Sequence, residues 1–225
     1  WALITGAGSG IGAALARELA GHGVGIILVG RHETHLNKVC TSLPGNASAL
    51  VVEADIANAA DRQRIESEVT DALINYEGNL KYLVHNAAVG PPSSSFADMK
   101  PGDLEYAFSV NVTAPLSLSQ LFMPALIDAA PARIMLVGAG IASRPQPGTG
   151  TYGITKKALA RLFDQMLTDF AHENEPGIPD IAMFQPGMVD TEGLHAHIEA
   201  ARDCGLPHAE YLDTAIAEGK ARRPQ

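Results

Sequence analysis

Cysteine is scarce in this chain, with only Cys40 and Cys204, far apart and outside any C-x-x-C or Cys/His metal spacing. That excludes a disulfide-stapled scaffold and a zinc module, and it suits a reducing compartment. Aromatic residues make up 5% of the 225 residues, too few for a ligand pocket lined mainly by rings. Positive charge is in deficit: 16 Lys and Arg stand against 25 Asp and Glu, a formal charge of -9. Nucleic acid and anionic membrane are poor partners for such a chain, and no basic stripe with interleaved aromatics offsets the deficit. No run approaches the roughly 18 consecutive apolar residues of a bilayer span, and no signal peptide opens the chain. Internal repeats, low-complexity tracts and linkers are also missing. One soluble, cytoplasmic domain over residues 1–225 is the expectation.

What is present is material for a large core, with 46% hydrophobic and 18% charged residues. Apolar runs suited to buried parallel strands fall at about 2–5, 25–30, 49–54, 80–85, 132–138 and 179–184. Helical patterns begin between them near Gly10, Thr34, Asn58, Pro101 and Thr151. Strand alternating with helix predicts an α/β fold of Rossmann type: a doubly wound parallel sheet in a three-layer α/β/α sandwich, with ligand at the carboxyl ends of the strands.

Two motifs fall at such ends. The first, Thr5-Gly-Ala-Gly-Ser-Gly-Ile-Gly12, follows the apolar Ala2-Leu3-Ile4 and leads into an Ala/Leu-rich helix. Glycine tolerates positive φ and close approach of backbone to a ligand, and the helix start offers free N–H groups to a pyrophosphate. The pattern is T-G-x-x-x-G-x-G, because Ile11 stands where G-x-G-x-x-G would need its last glycine. Alone it can also be read, less readily, as a ligand-free glycine turn. The second motif, Tyr152-Gly-Ile-Thr-Lys156, opens a segment whose apolar residues recur with helical period. Residues four apart share a helix face. An ammonium beside a phenol favours the phenolate, so Tyr152 is expected to exchange protons near neutrality, well below the usual phenol pKa of about 10.

Together the motifs resemble the single-domain short-chain dehydrogenase/reductase family, and the resemblance covers nearly the whole chain. It implies a pyrophosphate cradle of Gly6, Gly8, Ser9, Gly10, Ile11 and Gly12. It also implies an adenine contact from Asp55 with Ile56 beside it. His85-Asn86-Ala87-Ala88 matches the family's N-N-A-G, with His for the first Asn and Ala for Gly. Pro186, Gly187, Val189 and Thr191 lie in the turn that covers the nicotinamide in the family, and Asn111 matches the asparagine that holds a relay water. Tyr152 would be the proton donor, with Lys156 lowering its pKa and binding ribose. One departure is chemical: the family's catalytic serine, thirteen residues before the tyrosine, is Ala139 here. An engineered substitution, a weakened protein, or replacement of the hydroxyl by Ser143, Thr149 or a water are the explanations in play.

Gly30-Arg31, where NAD-specific members of the fold carry an acidic residue, implies NADP(H), with Arg31 and His32 facing the 2′-phosphate. A small-molecule carbonyl or its alcohol is the implied substrate. A dinucleotide-binding sensor or scaffold without turnover is the alternative that Ala139 favours. A homodimer or homotetramer follows from the resemblance alone. Residues about 190–208 occupy the family's lid position. Its histidines, His195, His197 and His208, are expected to be solvated lid residues in preference to metal ligands. The loop Gly90-Pro-Pro-Ser-Ser-Ser-Phe96 reads as rim or plain surface. Family members add a strand after the last helix, so the resemblance leaves room for residues beyond Gln225 and before Trp1.

Overall fold

A computed structural model describes residues 1–90, 94–173, 175–206 and 208–224. Pro91, Pro92 and Ser93 of the rim loop, and Pro207 of the lid segment, lie outside the described residues. Six strands form the frame: β1 (Ala2–Thr5), β2 (Ile26–Gly30), β3 (Ala49–Glu53), β4 (Tyr82–His85), β5 (Arg133–Val137) and β6 (Asp180–Phe184). All pair in parallel in the order β3-β2-β1-β4-β5-β6. The order reverses between β1 and β4, which makes the crevice at their carboxyl ends the expected ligand position. Every expected strand is present to within two residues at either end.

The faces are sorted by the period-two alternation of each strand. Leu3, Ile27, Val29 and Leu83 point into one cluster, while Ala2, Ile4, Ile26, Leu28 and Val84 point into the other. The second cluster is closed by α1 (Gly10–Gly21) through Ala13, Ala16 and Ala20, and by α2 (Glu33–Thr41) through Leu36 and Val39. The first receives Ile65 and Val69 of α3 (Ala59–Asn75), Leu118, Phe122 and Leu126 of α5 (Ala114–Asp128), and Leu159 and Met166 of α6 (Gly150–Glu173). Three layers result, as expected from the strand and helix pattern. Alanine on the inner face of α1 lets that helix lie close to the sheet, which brings its N-terminus to the end of β1.

A short helix α4 (Pro101–Phe108) runs into α5 through a π-helical turn, Ser109–Thr113, which carries Asn111. This run, residues 101–128, is the one helix among the described residues long and apolar enough by length and composition to cross a membrane. Leu118, Phe122 and Leu126 of this run are buried against the sheet. After β6 come α7 (Glu192–Asp203) and α8 (His208–Ala217), and Val189 forms an isolated parallel bridge with Arg222.

Candidate active site

The glycine loop is shaped by packing that no side chain could share. Gly6 and Gly10 have φ of +66° and +52°, in the left-handed region that favours glycine. A Cβ on Gly12 would stand 2.4 Å from the Gly6 carbonyl oxygen, and one on Gly6 would stand 2.8 Å from Ala87 Cα. Thr5 and Asn86 fasten this arrangement. The buried Thr5 hydroxyl accepts the N–H groups of Asn86 and Ala87 at 3.1 Å each, and the Asn86 amide donates to the carbonyls of Thr5 and Gly6. Asn86 therefore joins the end of β4 to the loop after β1 across the crevice.

Above the loop lies a cleft of about 350 Å³. Gly6, Gly8, Ser9, Gly10 and Ile11 form its floor; Asp55, Ile56 and Val110 line one end; Asn86, Ala87, Ala88 and Val89 continue it past β4. Thr191 closes it from above, with its Cγ2 against Gly10 and its hydroxyl accepting the Leu194 N–H to cap α7. The Asp55 carboxylate is fixed at the wall by the Ala57 N–H at 3.0 Å. Gly12 is packed beneath the loop and is absent from the lining, as are Pro186, Gly187 and Val189. Gly187 has φ +72°, and Val189 is paired with Arg222. Those three shape the turn that delivers Thr191.

Gly30, Arg31, His32 and His35 line the cleft beyond β2. Arg31 Nη1 donates to the Tyr106 hydroxyl at 3.0 Å, and the rings of His32 and His35 meet edge to face at 5.4 Å. Glu53, paired with Gly30 in the sheet, turns its carboxylate to the Glu33 N–H at the start of α2 and is not among the lining residues.

Tyr152, Lys156 and Ala139 stand beyond the Val89 end. Gly90, next along the chain from Val89, packs against the Tyr152 ring, at a distance where a Cβ would meet it at 3.4 Å. The Lys156 ammonium lies 5.6 Å from the centre of that ring and donates to the Val137 carbonyl at 2.8 Å. The helical spacing thus brings the pair together, but its electrostatics differ from expectation. Burial pushes the Tyr152 phenol up to about 12 and the Lys156 ammonium down to about 8. The ammonium, committed to Val137, does not outweigh desolvation of the phenolate, so Tyr152 holds its proton at neutral pH.

The buried Asn111 is tied in place through its side chain. Its amide donates to the Val89 carbonyl and to Thr155 Oγ1, both at 2.8 Å, while its Oδ1 accepts the Val89 N–H. The side chain clamps the cleft wall to α6. Thr155, fully buried, passes its own hydroxyl to the carbonyls of Thr151 and Tyr152. His85 is equally structural: fully enclosed, bonded to Ser119 at 2.9 Å, and pushed down to about 3 by burial. Ala139 is extended, φ −154°, just past β5. Neither proposed substitute for its hydroxyl is directed to the site by a hydrogen bond, since Ser143 is exposed and Thr149 donates to the Gln146 carbonyl.

In α7 and α8, exposed His195 pairs with Asp190 at 2.7 Å while half-buried His197 meets buried His208 at 3.2 Å, so the two helix positions face different ways and only His195 is solvated as expected. No group of three or more metal-ligating side chains occurs among the described residues. Thr5, Thr155, Tyr106 and His35 were not singled out from the sequence as site residues. Thr5 and Tyr106 have their partners on other elements and Thr155 accepts from Asn111 of the π-helical turn, and nothing local marks them except the position of Thr5 at the head of the glycine motif.

The Lys156 shift has a consequence for stability. A lysine whose folded pKa lies below its unfolded value disfavours the charged native state. The cost is fully present below about pH 8 and disappears as pH rises toward the ordinary lysine range near 10.4. A shift of this size corresponds to roughly 3 kcal/mol at about 1.4 kcal/mol per pH unit. In the cofactor-free protein, denaturant unfolding from pH 7.5 to 10.5 should show a gain in stability that Lys156→Met lacks; parallel curves for the two proteins would contradict it.

A parallel sheet in this order with a glycine cradle at its switch point defines a dinucleotide-binding α/β domain. The short chain dehydrogenase family matches residues 1–201, and the chain belongs to that family of oxidoreductases. An uncharacterized oxidoreductase of Staphylococcus epidermidis is 31% identical over 193 residues, 84% of this chain and 78% of its own length. The human dehydrogenase/reductase SDR family member 4 is 26% identical over 84% of this chain and 66% of its own. Among solved structures, a 3-ketoacyl-(acyl-carrier-protein) reductase from Brucella melitensis complexed with NADH is similar with a TM-score of 0.80 at 25% identity, covering 99% of this chain and 85% of that one. A short chain dehydrogenase from Burkholderia cenocepacia in complex with NADP gives 0.76 at 27% identity, covering 85% and 75%.

Proposed function

We propose that this chain is an NADP(H)-dependent oxidoreductase that reduces a small carbonyl compound to an alcohol. The observation that carries the reading is the pairing of Tyr152 with the Lys156 ammonium, with the tyrosine ring packed on Gly90 one residue past Val89, which lines the cleft floored by the glycine cradle. Cradle, Asp55 and Thr191 fit a dinucleotide, because the loop leaves no room for side chains where a pyrophosphate would meet bare backbone N–H groups. A bound nicotinamide would supply the hydride chemistry. Tyr152, holding its proton at neutral pH, is the acid that would give it to the developing alkoxide in reduction, and the base that would take it back in the reverse reaction. Lys156 places a positive charge beside the phenol as that proton leaves. Asn111 fixes Val89 and α6 relative to one another and so sets the distance between cleft and acid. Soluble, cytoplasmic action as a homodimer or homotetramer, without nucleic acid or membrane partners, belongs to the same proposal.

Turnover is the direct test: NADPH oxidation measured against ketones, ketoacyl thioesters and quinones. Reduction of at least one class is expected. Ala139 favours a second reading, a dinucleotide-binding sensor or scaffold; cofactor binding with no turnover on any class would select it.

The cofactor preference is tested apart from activity. Gly30 removes the acid that would repel a 2′-phosphate, and Arg31 can meet the phosphate with charge-assisted, bidentate bonds. Hydrogen bonds to charged groups contribute about 1.5 to 3 kcal/mol, so Arg31→Ala should weaken NADPH binding by roughly 10- to 150-fold and NADH binding far less. Fluorescence titration of both cofactors reads this out, and equal or tighter NADH binding by the unaltered protein would overturn the assignment.

A further inference from the structure

We infer that Tyr106 is a positioning residue for cofactor choice, acting through Arg31; the inference rests on the NADP(H) reading of the cleft. Arg31 directly follows β2 and Tyr106 stands on α4, 75 positions later, yet Arg31 Nη1 reaches the phenol oxygen at 3.0 Å. One turn beyond Tyr106, Val110 lines the same cleft as Val29, Gly30 and Arg31. The hydrogen bond therefore ties the chain after β2 to the helix that leads to Val110 and holds the guanidinium at the cleft.

The partner is neutral, and this gives the contact its meaning. A carboxylate at position 106 would cancel the charge that a phosphate needs, and among the described residues Arg31 takes part in no ion pair. The phenol accepts a single N–H and leaves the other four donors of the guanidinium for an anion. Two carboxylates of the neighbouring β3 end turn to backbone N–H groups and not to Arg31: Glu53 to that of Glu33 and Asp55 to that of Ala57. Without the tether an exposed arginine samples many rotamers, and fixing it on binding costs affinity. With it, that ordering is already present in the free protein.

The test is a double-mutant cycle on dissociation constants for NADPH and NADH, which does not require turnover. The loss of ordering for one long side chain corresponds to about a threefold to tenfold change in binding. Tyr106→Phe should therefore lower the preference for NADPH over NADH by that factor. In an Arg31→Ala background the same substitution should leave the ratio where Arg31→Ala put it. Equal weakening of both cofactors by Tyr106→Phe would mean lost packing and would overturn the inference, as would an equal loss of preference in both backgrounds. If Arg31→Ala abolishes the preference while Tyr106→Phe leaves it intact, the cofactor reading stands and Tyr106 has no part in it. Failure of the unaltered protein to prefer NADPH overturns both.

Discussion

Tyr152→Phe is expected to remove most turnover, by about 10² to 10⁴, the contribution of a positioned proton donor. The substitution deletes one hydroxyl and keeps the ring that packs against Gly90 and stands beside the Lys156 ammonium, so the fold and the cleft should be unchanged. Cofactor affinity should consequently move little, because Tyr152 is not among the residues lining the cleft. Lys156→Ala should instead damage both turnover and cofactor binding, since in the proposed reading Lys156 holds a ribose hydroxyl as well as standing beside the phenol. Steady-state kinetics with parallel cofactor titration separate the two. Near-normal turnover in Tyr152→Phe on the best substrate would mean that another acid acts and that the proposed mechanism is wrong.

The direction of this effect with pH also differs from what the motif suggests. Four-residue spacing on a helix correctly places Lys156 beside Tyr152, and from sequence that proximity argues for an acidified phenol. What the spacing does not contain is the Val137 carbonyl, which comes from β5 and takes the ammonium's hydrogen bond, nor the burial of the phenol. Proximity is a local property of a helix; solvation is a property of the whole fold.

The same division runs through the rest of the chain. Strand positions were legible because buried parallel strands are short apolar runs, α1 because an Ala/Leu-rich segment follows the glycine turn, and α6 because its apolar residues recur with helical period. The glycine cradle was legible because the reason for each glycine is backbone geometry at that position. The work of Asn86 and Asn111 was not. Both were matched to the family by local pattern, but their amides are engaged by partners on other elements, Gly6 in one case and Val89 and Thr155 in the other. The π-helical turn that aims Asn111 inward has no periodic signature of its own. Gly187 and Val189, matched to a covering turn, act through the placement of Thr191. Arg31 was visible from the motif, and Tyr106, its partner on α4, had no local mark at all.

Ala139→Ser is expected to give the largest gain in rate. Removing one donor to a developing oxyanion typically costs about 10² to 10³ in rate, roughly 3 to 4 kcal/mol of barrier, and restoring one should return a similar factor. The backbone permits it: Ala139 is extended, just past β5 and half-buried, so a serine adds one hydroxyl with no strain in φ. The structure weakens the idea that another side chain already does this work, because Ser143 is exposed and the Thr149 hydroxyl is committed to Gln146. Low but measurable turnover is therefore expected before the substitution and a large rise in kcat after it, with NADPH affinity as the control. If the serine variant is no faster, position 139 is not where this protein stabilises the oxyanion. Loss of activity in Ser143→Ala or Thr149→Val would then point to a substitute donor. Inactivity of every variant, with cofactor still bound, would move the balance to the sensor, since the cradle, Asp55 and Thr191 serve binding whether or not a substrate is reduced.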